Sequence, residues 1–254
     1  MSYEGKYLYC IIQEPSLRTF VSNGVGTGDK EVHTLNYRDL GCVISSSSLI
    51  KYMVSRENLM AHEKVIEEVM KEYSVLPIRF GTMASSADYV RSLLTKRYQE
   101  LKNLLRSLDN KVELGLKAFW LDMDLVFDEI SASNREVKIF KKNMQKKNRN
   151  FSLDGRVSLG EKVKEALETK RKKEAEKIIQ SLKPKCIDFV MNDTLGDNMV
   201  LNSAFLIDRM QELEFDDLVD ELNEKYKDRF KFKYIGPTAP YNFVNLSIKV
   251  GPEE

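Results

Sequence analysis

Few residues of this sequence combine the type and the spacing that chemistry requires, and His62 is the first to consider. The chain of 254 residues contains two histidines and three cysteines. Cys10, Cys42 and Cys186 are far apart in apolar segments, which is typical of reduced core residues rather than of a disulfide framework or a metal site. His62 lies on the apolar stripe of a helical pattern, which favours a histidine held by hydrogen bonds at a packing surface over a catalytic one.

The other candidate sites have simpler interpretations. Gly24, Gly26 and Gly28 resemble part of a phosphate-binding loop, but the last glycine is misplaced, no helix follows, and the Walker lysine is absent. We interpret this segment as a flexible turn. No serine or cysteine lies in a nucleophile-elbow context, and the acid pairs at 122/124 and 216/217 are explained by helix starts. We therefore predict that the protein has no catalytic centre, no bound metal and no cofactor.

The charge balance argues against other classes of function. Charged residues make up 31% of the chain, yet the net charge is only +1, so no global field would attract nucleic acid or an anionic membrane. No apolar run is long enough to span a bilayer, and the N-terminus carries no signal-peptide pattern. Residues 122–150 are strongly basic towards their end, but apolar residues interleave with the lysines. We interpret this segment as a solvated helix face rather than a nucleic-acid patch.

The elements that position these residues are organised around residues 75–82, a short apolar run between two long amphipathic helical patterns. The run predicts a buried strand. Pro77 lacks a backbone N–H and therefore belongs at the start or outer side of that strand, and Gly81 releases the chain into the next helix. Arg79 places a full charge in the strand, so it must find a partner or reach water at a sheet edge; we predict that it is paired.

The pattern changes after the turn-prone pair Asp109–Asn110, which we take as a domain boundary. From residue 111 the predicted order is strand, helix, strand, strand, helix, strand, with an extra strand appended. This is the split βαβ pattern of ferredoxin-like domains. We therefore predict an α+β protein of two domains. Residues 1–109 form a small mixed sheet with two long helices, and residues 110–254 form a ferredoxin-like domain with a basic helical insertion around 122–152.

Five stretches together resemble the gas vesicle protein F/L family (GvpF/GvpL): residues 7–9, 62–65, 75–82, 202–206 and 236–243. They span nearly the whole chain in the family's order, and the RFGT and GPxxPYNF segments are the most specific of them. The positions that we single out are His62, Pro77, Arg79, Phe80, Gly81, Gly236, Pro237, Pro240, Tyr241, Asn242 and Phe243.

The resemblance implies a cytoplasmic accessory or minor structural protein, associated with gas vesicles, that is not an enzyme. The partners it implies are the small hydrophobic major shell protein, bound in a chaperone-like or nucleating role, and other gas vesicle accessory proteins. Neither nucleic acid nor a membrane is expected. We place the shell-protein contact in the N-terminal domain, where a run of apolar residues has no evident core role: Leu49, Ile50, Tyr52, Met53 and Val54. The alternative function is a ferredoxin-like regulatory protein that senses a small ligand, which rests on analogy of fold alone.

Overall fold

The computed structural model describes residues 4–26, 30–48, 52–133, 138, 153–246 and 248. These residues form a mixed α+β structure with two antiparallel sheets and six α-helices among the described elements. The α+β class expected from the sequence is therefore confirmed. Most of the predicted basic insertion lies outside the described residues.

The first sheet is built around its most apolar strand. Its strands are β1 (Glu4–Ile12), β2 (Thr19–Phe20), β3 (Val32–Tyr37), β4 (Leu40–Ser48), β5 (Leu76–Pro77) and β6 (Met83–Ala84). The order is β2-β3-β4-β1-β5, and β6 also pairs with β1. Every residue of β1 from Tyr7 to Ile12 is buried, because the strand has neighbours along both edges and is covered on both faces.

Helices α1 (Arg56–Met70), α2 (Ala87–Lys96) and α3 (Tyr98–Ser107) complete this part of the chain. The side chains of Ser55 and Ser86 accept hydrogen bonds from the third residue after them and so cap α1 and α2. The long second helix expected from the sequence is broken at Arg97 into α2 and α3. Apolar residues of both helices join the core with β1 and β4.

The expected continuous strand at residues 75–82 is wrong in detail. Within this segment only β5 is a strand; β6 begins directly after the segment, and both strands pair with β1 on either side of a turn. Gly81 has a φ of +80° in that turn, which favours glycine. Pro77 lies on an edge strand, as its missing N–H requires. Arg79 is exposed on the turn and forms no ion pair with a described residue, so the predicted pairing is wrong for the described part of the chain.

The second sheet contains β7 (Lys111–Trp120), β8 (Asp188–Met191), β9 (Met199–Asp208) and β10 (Phe230–Thr238), in the order β10-β7-β9-β8. Helices α4 (Met123–Ser133) and α5 (Leu153–Leu182) follow β7 in sequence, and α6 (Glu212–Tyr226) follows β9. Short 3-10 helices occur at Lys183–Lys185, Arg209–Gln211 and Tyr241–Phe243. The extra final strand that we expected is absent from the described residues after 238, which contain the last of these 3-10 helices instead.

The chain divides into two compact units that are not contiguous in sequence. The first comprises Met1–Glu113, Leu206–Met210 and Pro237–Glu254, and the second comprises Leu114–Phe205 and Gln211–Gly236. This division differs from the single boundary that we expected after residue 109. The C-terminal segment belongs to the first unit because Phe243, Val244, Leu246 and Ile248 pack against that unit's core.

Candidate functional site

His62 is the centre of a buried polar cluster in the first unit. It lies on the buried stripe of α1 with Val65, Ile66, Val69 and Met70, and it is only 1% exposed. Nδ1 lies 3.1 Å from the hydroxyl oxygen of Tyr7, and Nε2 lies 3.1 Å from the carbonyl oxygen of Ile78. A carbonyl can only accept, so Nε2 carries the proton and Nδ1 accepts from Tyr7.

Three further residues extend this network. The Tyr241 hydroxyl lies 3.2 Å from Nε2 of His62 and donates to Oε1 of Glu63 at 3.3 Å. The backbone N–H of Gly81 donates to the Tyr7 hydroxyl at 2.9 Å. We call these five residues the His62 cluster: Tyr7, His62, Glu63, Gly81 and Tyr241. They come from β1, α1, the β5–β6 turn and the C-terminal segment.

Aromatic rings enclose the imidazole. The Tyr9 ring stacks on that of His62 with a centroid distance of 5.5 Å, and the Phe80 ring meets it edge-on at 5.8 Å. The Tyr9 hydroxyl is itself held by Ser45 at 2.9 Å and by the N–H of Val25 at 2.7 Å. Packed rings and hydrogen-bonded hydroxyls therefore shield the histidine from solvent.

Burial sets the protonation states of the cluster. It lowers the pKa of His62 to about 4, so the imidazole is neutral at physiological pH. Burial raises the pKa of Glu63, and burial together with the nearby Glu63 carboxylate raises that of Tyr241. A neutral imidazole with both nitrogens engaged is a structural junction and a poor general base. Among the described residues, no group of three or more His, Cys, Asp or Glu side chains is arranged to hold a metal ion.

A buried carboxylate, Glu113, also binds the C-terminal segment. It accepts the backbone N–H of Asn242 at 2.8 Å and the side-chain amide of the same residue at 2.5 Å. Thr238 donates to the Glu113 carbonyl at 3.2 Å. Burial raises the pKa of this carboxyl. The sequence gives no sign of this role for Glu113, because its partner lies 129 positions away.

The positions that carried the family resemblance mostly converge here. His62, Phe80, Gly81 and Tyr241 meet around the imidazole, and Asn242 binds Glu113. Three others lie close by in the same unit: Pro77 in β5, the buried Pro240, and Phe243 against the core. Arg79 is exposed on its turn, and Gly236 and Pro237 are exposed in β10.

The residues predicted to contact a partner are only partly described. Leu49 and Ile50 lie outside the described residues. Tyr52 is half-buried, and its hydroxyl contacts the Ser47 hydroxyl and the Lys30 ammonium, each at 2.7 Å. Met53 and Val54 are 79% and 77% exposed. A cavity of about 850 Å³, which Met53 and Val54 do not line, is bounded mainly by polar residues of the 22–30 loop and the start of α1, with Tyr52 and Met60 among them.

The fold and the His62 cluster define a mixed α+β protein in which a buried polar junction fixes the C-terminal segment to the first sheet and helix. No α-helix in the described part of the chain has the length and apolar character needed to cross a membrane. A family model described as Gas vesicle synthesis protein GvpL/GvpF matches residues 5–245, so the chain belongs to this family of gas vesicle formation proteins. The resemblance inferred from the motifs is thereby confirmed.

Individual relatives agree in sequence and in structure. Gas vesicle protein F of Dolichospermum flosaquae is 30% identical over 244 residues, which are 94% of this chain and 97% of that protein. The crystal structure of GvpF from Anabaena sp. PCC7120 superposes with a TM-score of 0.80 at 27% identity, covering 96% of this chain and all of that one. GvpF from Microcystis aeruginosa gives a TM-score of 0.80 at 28% identity, covering 95% of this chain and 99% of the other.

Proposed function

We propose that this protein acts in gas vesicle assembly by binding the small hydrophobic major shell protein in a chaperone-like or nucleating role. The family supports the process, and the residues support the mode of action, which is binding rather than catalysis. A small hydrophobic subunit aggregates unless its apolar surface and strand edges are covered before assembly. Such a role places the protein in the cytoplasm with the vesicles and with other accessory proteins.

The exposure of Met53 and Val54 is the observation that carries this proposal. Both are large apolar side chains at more than three-quarters exposure, in consecutive positions just before α1. Tyr52 and Met60 add apolar surface at the neighbouring cavity. Leu49 and Ile50 belong to the same sequence run and complete the proposed shell-contact segment, residues 49–54.

The strand order of the second sheet supports a ferredoxin-like description of the second unit. Numbered within that unit, the order β10-β7-β9-β8 is 4-1-3-2, and the sequence of elements is the split βαβ arrangement with α4 and α5 together in the first crossover.

Co-purification of the shell protein with the full-length chain tests the proposal. The full chain is needed because residues 237–248 help to form the first unit. We expect Met53→Ser with Val54→Ser to reduce binding by about tenfold or more, the loss that about 1.4 kcal/mol produces. Met210→Ser with Leu213→Ser is the matched control, because those side chains are 88% and 79% exposed. Unchanged binding by a folded Met53/Val54 variant would contradict the proposal.

A further inference from the structure

The two edge strands of the second sheet differ in their protection against pairing with a further strand. β10 carries exposed lysines at 231 and 233, the charged side chains with which proteins prevent a sheet edge from adding another strand. At the other edge, β8 reads Asp-Phe-Val-Met and contains neither lysine nor proline. No described strand pairs with its outer side. Met191, the last residue of β8, is 50% exposed.

Hydrogen bonds identify the backbone groups that face outwards from β8. The N–H of Asn192 donates to the carbonyl of Asn202 at 2.7 Å, so Asn192 faces β9. Along an antiparallel strand, the backbone N–H and carbonyl of successive residues point alternately to one neighbour and to the other. The backbone groups of Val190 therefore also point to β9, and those of Phe189 and Met191 point to the open side. The N–H of Phe189 is taken by the Asp188 carboxylate at 2.8 Å. The edge therefore offers the N–H and carbonyl of Met191 and the carbonyl of Phe189.

An apolar groove of about 550 Å³ runs beside this edge, between α5 and β8. Its lining includes five apolar residues, Ala175, Ile179, Phe189, Met191 and Val200, together with charged residues of α5, among them Glu168, Lys172 and Glu176. Arg171 of α5 donates to the carbonyls of Gly196 and Asp197 at 3.2 and 3.1 Å, which fixes the β8–β9 loop at one end of the groove. The groove is thus preformed, which reduces the entropy cost of binding.

The charges at the ends of the groove define its occupant further. Lys183 is exposed and lies over the Phe189 ring at 5.7 Å, at the end where β8 begins. Asp193 is exposed at the other end, two residues beyond the last residue of β8. A strand added antiparallel to β8 starts near Asp193 and finishes near Lys183, so a basic start and an acidic finish complement the two charges.

We propose that β8 and its groove form a peptide-docking site that adds one extended segment of a partner protein as a further antiparallel strand. That segment carries apolar side chains at alternate positions, a basic residue at its start and an acidic residue at its finish. Backbone hydrogen bonds to Met191 provide affinity, and the groove selects the apolar side chains. This site lies in the second unit and is independent of the shell-contact segment proposed above.

The test uses the full-length chain and a synthetic peptide of about six residues, the usual strand length, in which valine and threonine alternate between a first lysine and a last glutamate. Hydrogen exchange of the Met191 amide should slow by about tenfold or more at saturating peptide. The same peptide, N-methylated at the residues whose N–H groups face β8, should not protect the amide, because it retains the side chains and loses the backbone donors. Equal binding of the two peptides, or no protection by either, would overturn the proposal.

Two variants make the result specific. Met191→Pro removes the outward N–H and should abolish peptide binding. The exchange of charges in Lys183→Glu with Asp193→Lys alters only exposed side chains and should reverse the preference, so that a peptide with glutamate first and lysine last binds more tightly. An unchanged preference in this folded variant would overturn the proposal. Concentration-dependent protection of Met191 without peptide would assign the edge to a second copy of the chain and would also overturn it.

Discussion

The hydroxyl of Tyr241 lies 3.2 Å from Nε2 of His62, although 179 positions separate the two residues in sequence. Tyr241 follows the last strand among the described residues, and His62 lies in the middle of the first helix. Their contact, together with that between Asn242 and Glu113, attaches the C-terminal segment to the first unit. The histidine acts here as a junction between distant parts of the chain, and Tyr241→Phe and the pH dependence of stability test it.

Tyr241→Phe should lower the free energy of unfolding by about 1–2 kcal/mol, because Glu63 loses a donor in a half-buried position. Chemical unfolding of the full chain measures the change. Tyr37→Phe is the matched control: its ring is also half-buried, but its hydroxyl forms no hydrogen bond with a described residue. Equal effects of the two substitutions would contradict a role for the Tyr241 hydroxyl.

His62 should make the stability depend on pH. Its pKa is about 4 in the folded protein against 6.5 for the ordinary side chain, so the unfolded chain binds the proton first as the pH falls. The stability that His62 contributes is therefore complete above pH 6.5 and is lost as the pH falls towards 4. Between pH 7.5 and pH 5 the loss is about 2 kcal/mol.

The comparison that isolates this effect is the wild type against His62→Asn, unfolded at both pH values. The stability that Glu63 contributes changes with pH in the opposite direction, because its raised pKa favours protonation in the folded state. Glu63 is present in both proteins, so its effect cancels in the comparison. The stability difference between the two proteins should shrink at pH 5. A difference that does not change with pH would show that His62 titrates normally in the folded protein.

Two glycine substitutions should change the stability of the protein in opposite directions. Gly81 has a φ of +80° and open space around the position of a Cβ, so Gly81→Ala introduces backbone strain alone and should cost about 1 kcal/mol. Gly160 lies within α5, also with open space, and Gly160→Ala should stabilise the protein by about 1 kcal/mol. Thermal unfolding of both variants measures the two shifts. Stabilisation by Gly81→Ala would mean that the β5–β6 turn differs from the one described.

The ion pairs of Arg229 should contribute more to stability than any exposed ion pair of the second unit. Its guanidinium contacts Glu129 at 2.8 and 3.1 Å and Glu174 at 2.8 Å, and Trp120 donates to the same Glu174 carboxylate at 2.5 Å. Arg229→Met leaves the mostly buried Glu174 with fewer partners and should cost about 2–3 kcal/mol. Lys227→Met, which breaks an exposed contact with Glu224, should change the stability by less than about 0.5 kcal/mol.

The sequence by itself determined the local elements and the family. The amphipathic patterns on both sides of residues 75–82 indicated helices, and the separated motifs indicated gas vesicle proteins. Each of these patterns is local, because it can be recognised within a short segment of the sequence. The sequence also placed His62 correctly at a packing surface, because its helical stripe could be read directly.

Only the tertiary structure decided which distant residues meet. It shows that Arg79 lies on an exposed turn and not in a buried strand, and that Asn242 is the partner of Glu113. It also shows that residues 237–248 belong to the first unit. A buried polar group must find a hydrogen-bond partner, but its own neighbourhood in sequence does not say where that partner is. The energy of such a contact is realised only after the chain has brought β7 and the C-terminal segment together, so no local pattern encodes it.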